Sequence, residues 1–435
     1  MEEPTQLRLE DCQQMHPADL ADALQRIPAE EARALLEHLS PAKAAAVAAE
    51  LEEDQVRDLL PGFTPDQLGA MLQELPADEA ADLAQGLPLE TRGDALAAME
   101  PEDSARVTAL LKYPEDTAGG IMSDRFIALQ PDQTLAEAQE MLRAEPEPEG
   151  KDVSYLYVTD KHGRLSGVVS LRDLVFRRPE RKVAEVMSRE VRFLWADADQ
   201  EEIARQFDHY HYMGLPVLER DRRLVGVVRA SDALEIAQDE ATEDMQLMVG
   251  LSGEERALTP WQTSIQRRLP WLYINLGTAF LAAIVVSLFE STIAGWTALA
   301  VFLPIVAGQG GNAGVQTLTV IIRDLALGEI AMKDARRTLI KELILGALNG
   351  LAIGLVLGLA GFLWKGDLQL GLVAGVAMLL NMVAAALSGV LIPYGLKVFK
   401  VDPALASGIF LTTVTDVAGF FFFLGLAALS LRYWG

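Results

Sequence analysis

Five long apolar runs near the C-terminus, at about 271–289, 294–322, 339–364, 369–396 and 404–431, constrain this chain's fold more than any other feature. A helix needs roughly 20 apolar residues to cross ~30 Å of hydrocarbon, and these runs are of that order. Hydrocarbon offers no water to backbone N–H and C=O groups, so a spanning segment must satisfy them itself. Residues 269–435 are therefore predicted to be a polytopic α-helical membrane domain with five transmembrane helices. The rest of the chain has a different character. Residues 1–258 hold 54 Asp and Glu against 26 Lys and Arg, a balance of −28, while the remainder holds 8 against 11, a balance of +3.

The polar residues inside the apolar runs point to transport. The last run carries Asp416, and a carboxylate near the bilayer centre costs roughly 3 kcal/mol on insertion scales. Such an acid marks a cation site, or else a structural Asp bonded to a neighbouring helix through Thr413 and Thr415. The second run carries Gln309, Asn312 and Gln316 among glycines. Gly310 and Gly314 suit close helix packing, but the three amides need a polar cavity to face. Basic residues gather on one side of the runs: Arg267, Arg268, Arg323, Lys333, Arg336, Arg337, Lys341, Lys397 and Lys400. Glu290, Lys365, Asp367 and Arg432 lie on the other. The excess of positive charge on the inner side predicts cytoplasmic N-terminal domains and a C-terminus outside, in the cell (inner) membrane.

An acidic soluble region disfavours nucleic acid, whose phosphates are met by Lys and Arg, and favours multivalent cations. Cys12 is the single cysteine, which excludes an intrachain disulfide and a thiolate metal cluster. The polar, acidic N-terminus predicts no cleavable signal peptide. Between His16 and Pro114, prolines at 28, 41, 65, 76, 88, 101 and 114 each precede Ala and Leu at three- and four-residue steps. That spacing predicts an all-α superhelical N domain of short stacked helices over 1–120, with an acidic outer face. Asp54 with Asp58, and Asp78 with Asp82, fall one turn apart, where like charges repel unless a cation intervenes.

From Ile121 to about residue 238 one pattern occurs twice. Leu165-Ser166-Gly167-Val168-Val169 returns as Leu224-Val225-Gly226-Val227-Val228, and Leu171-Arg172-Asp173-Leu174 as Ala230-Ser231-Asp232-Ala233, at an offset of 59 residues. This repeat resembles an α/β tandem CBS pair, which implies a cleft for ATP or another adenine nucleotide. The resemblance assigns ribose contacts to Ser170 and Asp173; the second copy has Arg229 where Ser or Thr is usual. Asp199, Glu201 and Asp208 gather carboxylates beside His209 and His211, two histidines in no zinc-site spacing and read as surface residues. Residues 239–268 read as a connecting, plug-type helix, within one long helix from Leu234 to Arg268. On it Glu240, Glu243 and Asp244 share a face that a divalent ion would draw inward.

Several motifs together carry a wider resemblance: Ala118-Gly119-Gly120-Ile121-Met122, the CBS pair, Glu240-Ala241-Thr242-Glu243-Asp244, Gly310-Gly311-Asn312-Ala313-Gly314-Val315-Gln316, Asp402-Pro403-Ala404-Leu405-Ala406-Ser407 and Thr415-Asp416-Val417-Ala418-Gly419. Along essentially its whole length the chain resembles the MgtE family of magnesium channels. The resemblance implies a homodimer in the lipid bilayer and a pore between the second and fifth runs. It implies an ion site at Asp416, and Asn312, Gln316, Gly311 and Thr412 are the polar and glycine residues of the two runs expected to complete it. The resemblance also implies closure by Mg2+ bound at Asp78, Asp82, Asp232, Glu240, Glu243, Asp244 and Asp402, and the separate carboxylate group of Asp199, Glu201 and Asp208 is added as a regulatory metal candidate; against the resemblance, Lys43-Ala44-Ala45-Ala46 lacks an expected acid. A proton- or sodium-coupled divalent transporter of the same architecture is the alternative. An intramembrane aspartyl protease needs two close carboxylates, and an anion channel a basic or hydroxyl-lined pore; one central Asp per chain fits neither.

Overall fold

A computed structural model describes residues 9–51, 53–144, 154–253, 255–257, 259–405 and 407–434. Ala406 of the Asp-Pro-Ala-Leu-Ala-Ser motif, like the N-terminal residues 1–8, lies outside them. The chain divides into two compact units, Met1–Ile236 and Ala237–Gly435.

Among the described residues, the first unit opens with nine short α-helices: α1 Leu9–Gln14, α2 Pro17–Leu24, α3 Ala29–Glu37, α4 Pro41–Ala49, α5 Glu53–Leu59, α6 Pro65–Glu74, α7 Ala77–Gln85, α8 Leu89–Ala98 and α9 Pro101–Leu110. Proline sets their starts as the spacing predicts. It occupies the first turn of α2, α4, α6 and α9 and the residue before α3, α7 and α8, where its missing N–H costs nothing. Pro114 is the exception: it leads into a turn. Thr64 and Gln67 add a capping box to α6. No single helix buries much alone, and a shared core of Leu20, Leu36, Leu60, Leu72, Ala80 and Val107 joins them. Lys43, in the segment without an acid, donates through Nζ to the Met15 carbonyl and ties α4 to the end of α1.

The rest of the first unit is a duplicated β-sheet module. Its elements are α10 Ala118–Ile121, β1 Ala128–Leu129, α11 Leu135–Ala144, β2 Tyr155–Thr159, β3 Leu165–Ser170, α12 Leu171–Phe176 and α13 Val183–Val186, then β4 Leu194–Trp195, α14 Gln200–Tyr210, β5 Gly214–Leu218 and β6 Leu224–Arg229. Each sheet has the order β1-β2-β3 or its equivalent β4-β5-β6, one parallel and one antiparallel pairing, and an irregularity after the fourth residue of its middle strand. The 59-residue offset holds strand for strand: Tyr155 pairs with Ser170 as Gly214 pairs with Arg229.

Helix α15, Ala230–Met248, runs from the first unit into the second. Here the structure corrects the expectation of one helix to Arg268. The helix stops at Met248, Gly250 and Gly253 adopt left-handed backbone, and α16 starts only after Pro260. The second unit continues with α16 Trp261–Leu288, α17 Glu290–Gly295, α18 Leu299–Ala326, α19 Ala335–Lys365, α20 Leu368–Val398 and α21 Ser407–Trp434. Four of these, α16, α19, α20 and α21, have the length and apolar composition of a membrane span. Helix α18 has 28 residues, and its polar stretch from Gln309 to Gln316 lowers its hydropathy. Glycines let α19 and α20 meet backbone to backbone. A Cβ on Gly354 would lie 2.5 Å from the Gly375 carbonyl, and one on Gly371 2.4 Å from that of Gly358. Phe302, Val306, Met378, Phe423 and Leu424 form the core between α18, α20 and α21.

Candidate ion pathway and acidic clusters

Helices α18 and α21 position the polar residues of the membrane unit. Their approach is set at Gly311, where a Cβ would stand 3.8 Å from Thr415 Oγ1, and at Gly314, where one would stand 2.8 Å from Leu411. Gly311 and Asp416 are thus brought to one level, with Thr415 between them. Asn312 and Gln316 are exposed along α18, together with Gly308 and Gln309. The three threonines do not hold Asp416. Thr412 and Thr413 donate to the Ile409 carbonyl at 3.1 and 2.7 Å, and Thr415 to the Thr412 carbonyl at 3.1 Å. Asp416 is half-buried and makes no hydrogen bond or ion pair with another described residue. A structural Asp tied to a neighbouring helix is therefore not what is seen.

The end of α15 packs directly on this pair. Leu247 shares a core with Leu318, Ile322 and Leu411, and a Cβ on Gly408 would lie 2.3 Å from the Met248 carbonyl. Glu240, Glu243 and Asp244 are half-buried along α15. Asp402 is exposed and accepts from the Ala404 N–H at 2.7 Å, capping the turn before α21.

In the first unit, a guanidinium joins two of the expected acids. Arg229 Nε donates to the Asp232 carboxylate at 3.0 and 3.1 Å, and its terminal nitrogen stands 3.7 Å from Asp78. Asp78 is only 6% exposed, and its Oδ1 has no hydrogen-bond partner among the described residues. Asp82, one turn further along α7, opens to water but has protein on several sides. Desolvation and then the charges of Asp78, Glu79, Asp232 and Glu235 push its pKa up to about 7. Asp82 thus binds more protons folded than unfolded from about pH 4 to about pH 7, so this unit's stability falls as pH rises through that window. Asp82→Asn is expected to flatten this fall, read as melting temperature against pH; an unchanged slope would remove Asp82 as its source.

The other expected acids stand apart. Asp199 caps α14 by accepting from the Glu201 N–H at 2.9 Å, and Asp199, Glu201 and Asp208 are exposed on that helix. Among the described residues, no group of three His, Cys, Asp or Glu side chains is arranged to hold a metal. His209 is exposed and His211 ends α14 in a left-handed conformation, as surface residues do. Ser170 donates to Asp173 at 2.7 Å, and Arg177 follows at 3.3 Å; these bonds, Ser170's first, hold the Asp173 carboxyl below the usual range.

The sequence reading missed two buried acids. Glu342, 5% exposed in α19, accepts from Thr317 Oγ1 of α18 at 2.9 Å and meets Lys341 Nζ at 2.8 Å. It lies inside the third apolar run, where a single Glu was visible. Glu255, in the turn before α16, receives Arg268 at 2.6 Å while Gln246 of α15 brackets its backbone, so three segments are tied there. Nothing in the local pattern marked it.

Comparison with known proteins follows the same division. Residues 15–116 match the MgtE intracellular N domain, 118–180 and 183–239 the CBS domain, and 303–426 the MgtE family of divalent cation transporters. Magnesium transporter MgtE of Thermus thermophilus is 36% identical over 340 residues, covering 77% of this chain and 74% of the relative. Magnesium transporter MgtE of Bacillus subtilis is 34% identical over 334 residues, covering 76% and 73%. The crystal structure of the cytosolic domain of the Mg2+ channel MgtE in complex with ATP is 35% identical, with a TM-score of 0.49, covering 52% of this chain and 93% of that one. With relatives this similar along three quarters of its length, the chain belongs to the MgtE family of magnesium transporters.

Proposed function

We propose that the protein is a Mg2+-selective channel whose ion path lies along α18 and α21, and that Mg2+ at its acidic clusters closes it. The observation that carries the first part is Asp416, a carboxylate with no partner among the described residues at the level where α18 meets α21. Mg2+ gives up its water reluctantly and is commonly held by one or two carboxylates. An Asp416 pair facing across the axis of a homodimer, with Gly311, Asn312, Thr412 and Gln316 around it, would accept a hydrated ion. In this reading α18 is the fifth span, excused from high hydropathy because its amides line the pore. Termini on opposite sides then follow, with the basic flanks setting the soluble domains inside the cell. Exposed Val175 and Phe176 of α12, and Leu234 at the position equivalent to Val175 in the second copy, are apolar surface suited to the dimer.

The second part is motivated by the crowding of Asp78, Asp82 and Asp232, which a divalent cation relieves, and by the seat of α15 on α21. Glu240, Glu243, Asp244 and Asp402 extend the regulatory set in the second unit. Asp199, Glu201 and Asp208 form its exposed, weaker part, and Ser170 with Asp173 is the place for an adenine nucleotide. The test is Mg2+ current through reconstituted full-length protein under a magnesium gradient alone, with magnesium on the soluble-domain side stepped from low to high. Current that falls at the high step, and falls less after Asp78→Asn with Asp232→Asn, agrees with the proposal. Current indifferent to the step rejects the gating. Transport that stops whenever proton and sodium gradients are absent selects the coupled transporter.

A further inference from the structure

Most buried polar side chains of the membrane helices have partners: Glu342 holds Thr317, Ser388 donates to the Ala384 carbonyl, Ser407 to Ala404, Thr415 to Thr412, and Ser430 receives Gln369. On α20 the Asn381 amide oxygen and the Tyr394 hydroxyl do not fit this rule among the described residues, and Asn381 is the one that faces α18 and α21 together. It is 0% exposed, its Nδ2 donates to the Val306 carbonyl of α18 at 2.9 Å, and its Oδ1 has no partner among the described residues. The orientation is fixed by chemistry, because the reversed amide would press two oxygens together.

Its surroundings are built for it. A Cβ on Gly310 of α18 would stand 2.1 Å from Asn381 Nδ2, and one on Gly419 of α21 2.8 Å from the same atom. Gly310 is the residue before Gly311, and Gly419 is one helical turn after Asp416. One amide therefore keys three helices at the level of the ion path. Leu at this position has the same branching and no orphaned oxygen, but it is larger than Asn and gives up the bond to the Val306 carbonyl, so it over-fills the space that Gly310 and Gly419 leave. A buried polar atom without a partner in a native protein calls for an explanation, and a functional role is one.

We infer that Asn381 is a positioning residue for transport: by wedging between Gly310 and Gly419 and binding the Val306 carbonyl, it fixes the separation of α18 and α21, and with it the discrimination of Mg2+ from the larger Ca2+. The inference rests on α18 and α21 being the ion path. The experiment compares wild type, Asn381→Leu, Asn381→Ala, Ser388→Ala and Asp416→Asn as full-length reconstituted proteins, reading melting temperature, Mg2+ flux and the Mg2+/Ca2+ flux ratio.

Asn381→Leu is expected to keep a cooperative melt, lowered by overpacking, while its flux ratio falls about tenfold, since geometric errors near 1 Å carry effects of that order or larger. Asn381→Ala, which cannot wedge, should lose the ratio as well, whereas Ser388→Ala should keep it. Wild-type flux and ratio in Asn381→Leu would overturn the inference. So would melting temperature and flux that fall together in both Asn381 variants at an unchanged ratio, which would assign the residue to packing alone. Normal flux in Asp416→Asn would sink the pathway reading itself. An inactive Asp416→Asn beside an unaltered Asn381→Leu would sink only the inference.

Discussion

Arg229→Ala is expected to lower the melting temperature of the soluble unit in the full-length protein by roughly 6 °C or more, and millimolar magnesium should recover more of that loss than it adds to wild type. The wild-type chain already has a cation among these acids. Arg229 is 30% exposed, bonded to Asp232 and 3.7 Å from Asp78, whose side chain is 6% exposed. Removing one member of a buried charge pair leaves the other uncompensated, at a cost of about 3 kcal/mol where part of the site still meets water. Asp82 worsens the deficit: desolvation, and then the charges of Asp78, Glu79, Asp232 and Glu235, already push its pKa up to about 7. A divalent ion binding only the folded state would restore the balance. A thermal melt of both proteins with and without magnesium decides it: equal melting temperatures, or equal magnesium shifts, would mean that Arg229 does not hold the cluster together.

Asp416→Ala should nearly abolish transport while leaving the fold intact. Asp416 makes no bond or ion pair with another described residue, so its removal breaks no such contact. In transport the expected loss is large. A hydrogen bond to a charged group is worth about 1.5–3 kcal/mol, so losing one from each side of a dimer amounts to about 3 kcal/mol or more. At ten-fold for each 1.4 kcal/mol, Mg2+ flux falls about 100-fold. Asp416→Asn keeps shape without charge, and should sit near the Ala variant if the charge carries the effect.

Local signals predicted the parts of this fold that local physics determines. Proline spacing located the starts of α3, α4 and α6 to α9, because a residue without an N–H is tolerated there and costly inside a helix. The 59-residue repeat predicted one β-containing module occurring twice, and the structure gives both copies the same topology, Tyr155 pairing with Ser170 as Gly214 pairs with Arg229. Asp416 stood out because an isolated acid in an apolar run is costly. What the sequence concealed depends on contacts between distant segments. Arg229 looked like a lapse from a nucleotide motif until the fold set it beside Asp78, some 150 residues earlier in the chain. Asn381 and Glu342 lie on the flanks of α18, and only the packing of α19 and α20 shows that they touch it. Gly250, Gly253 and Pro260 were visible, yet the acidic and basic periodicity around them read as one continuous helix. There the backbone breakers prevailed over the pattern.

The central claim is that magnesium crosses the membrane past Asp416. The most direct measurement is Mg2+ flux into vesicles holding purified full-length protein, driven by a magnesium gradient alone, with wild type beside Asp416→Ala at matched melting temperature and matched insertion. Flux in wild type and a loss of about 100-fold in the variant is the predicted result. A folded Asp416→Ala protein that carries magnesium at the wild-type rate would contradict it and place the ion path elsewhere in the membrane unit.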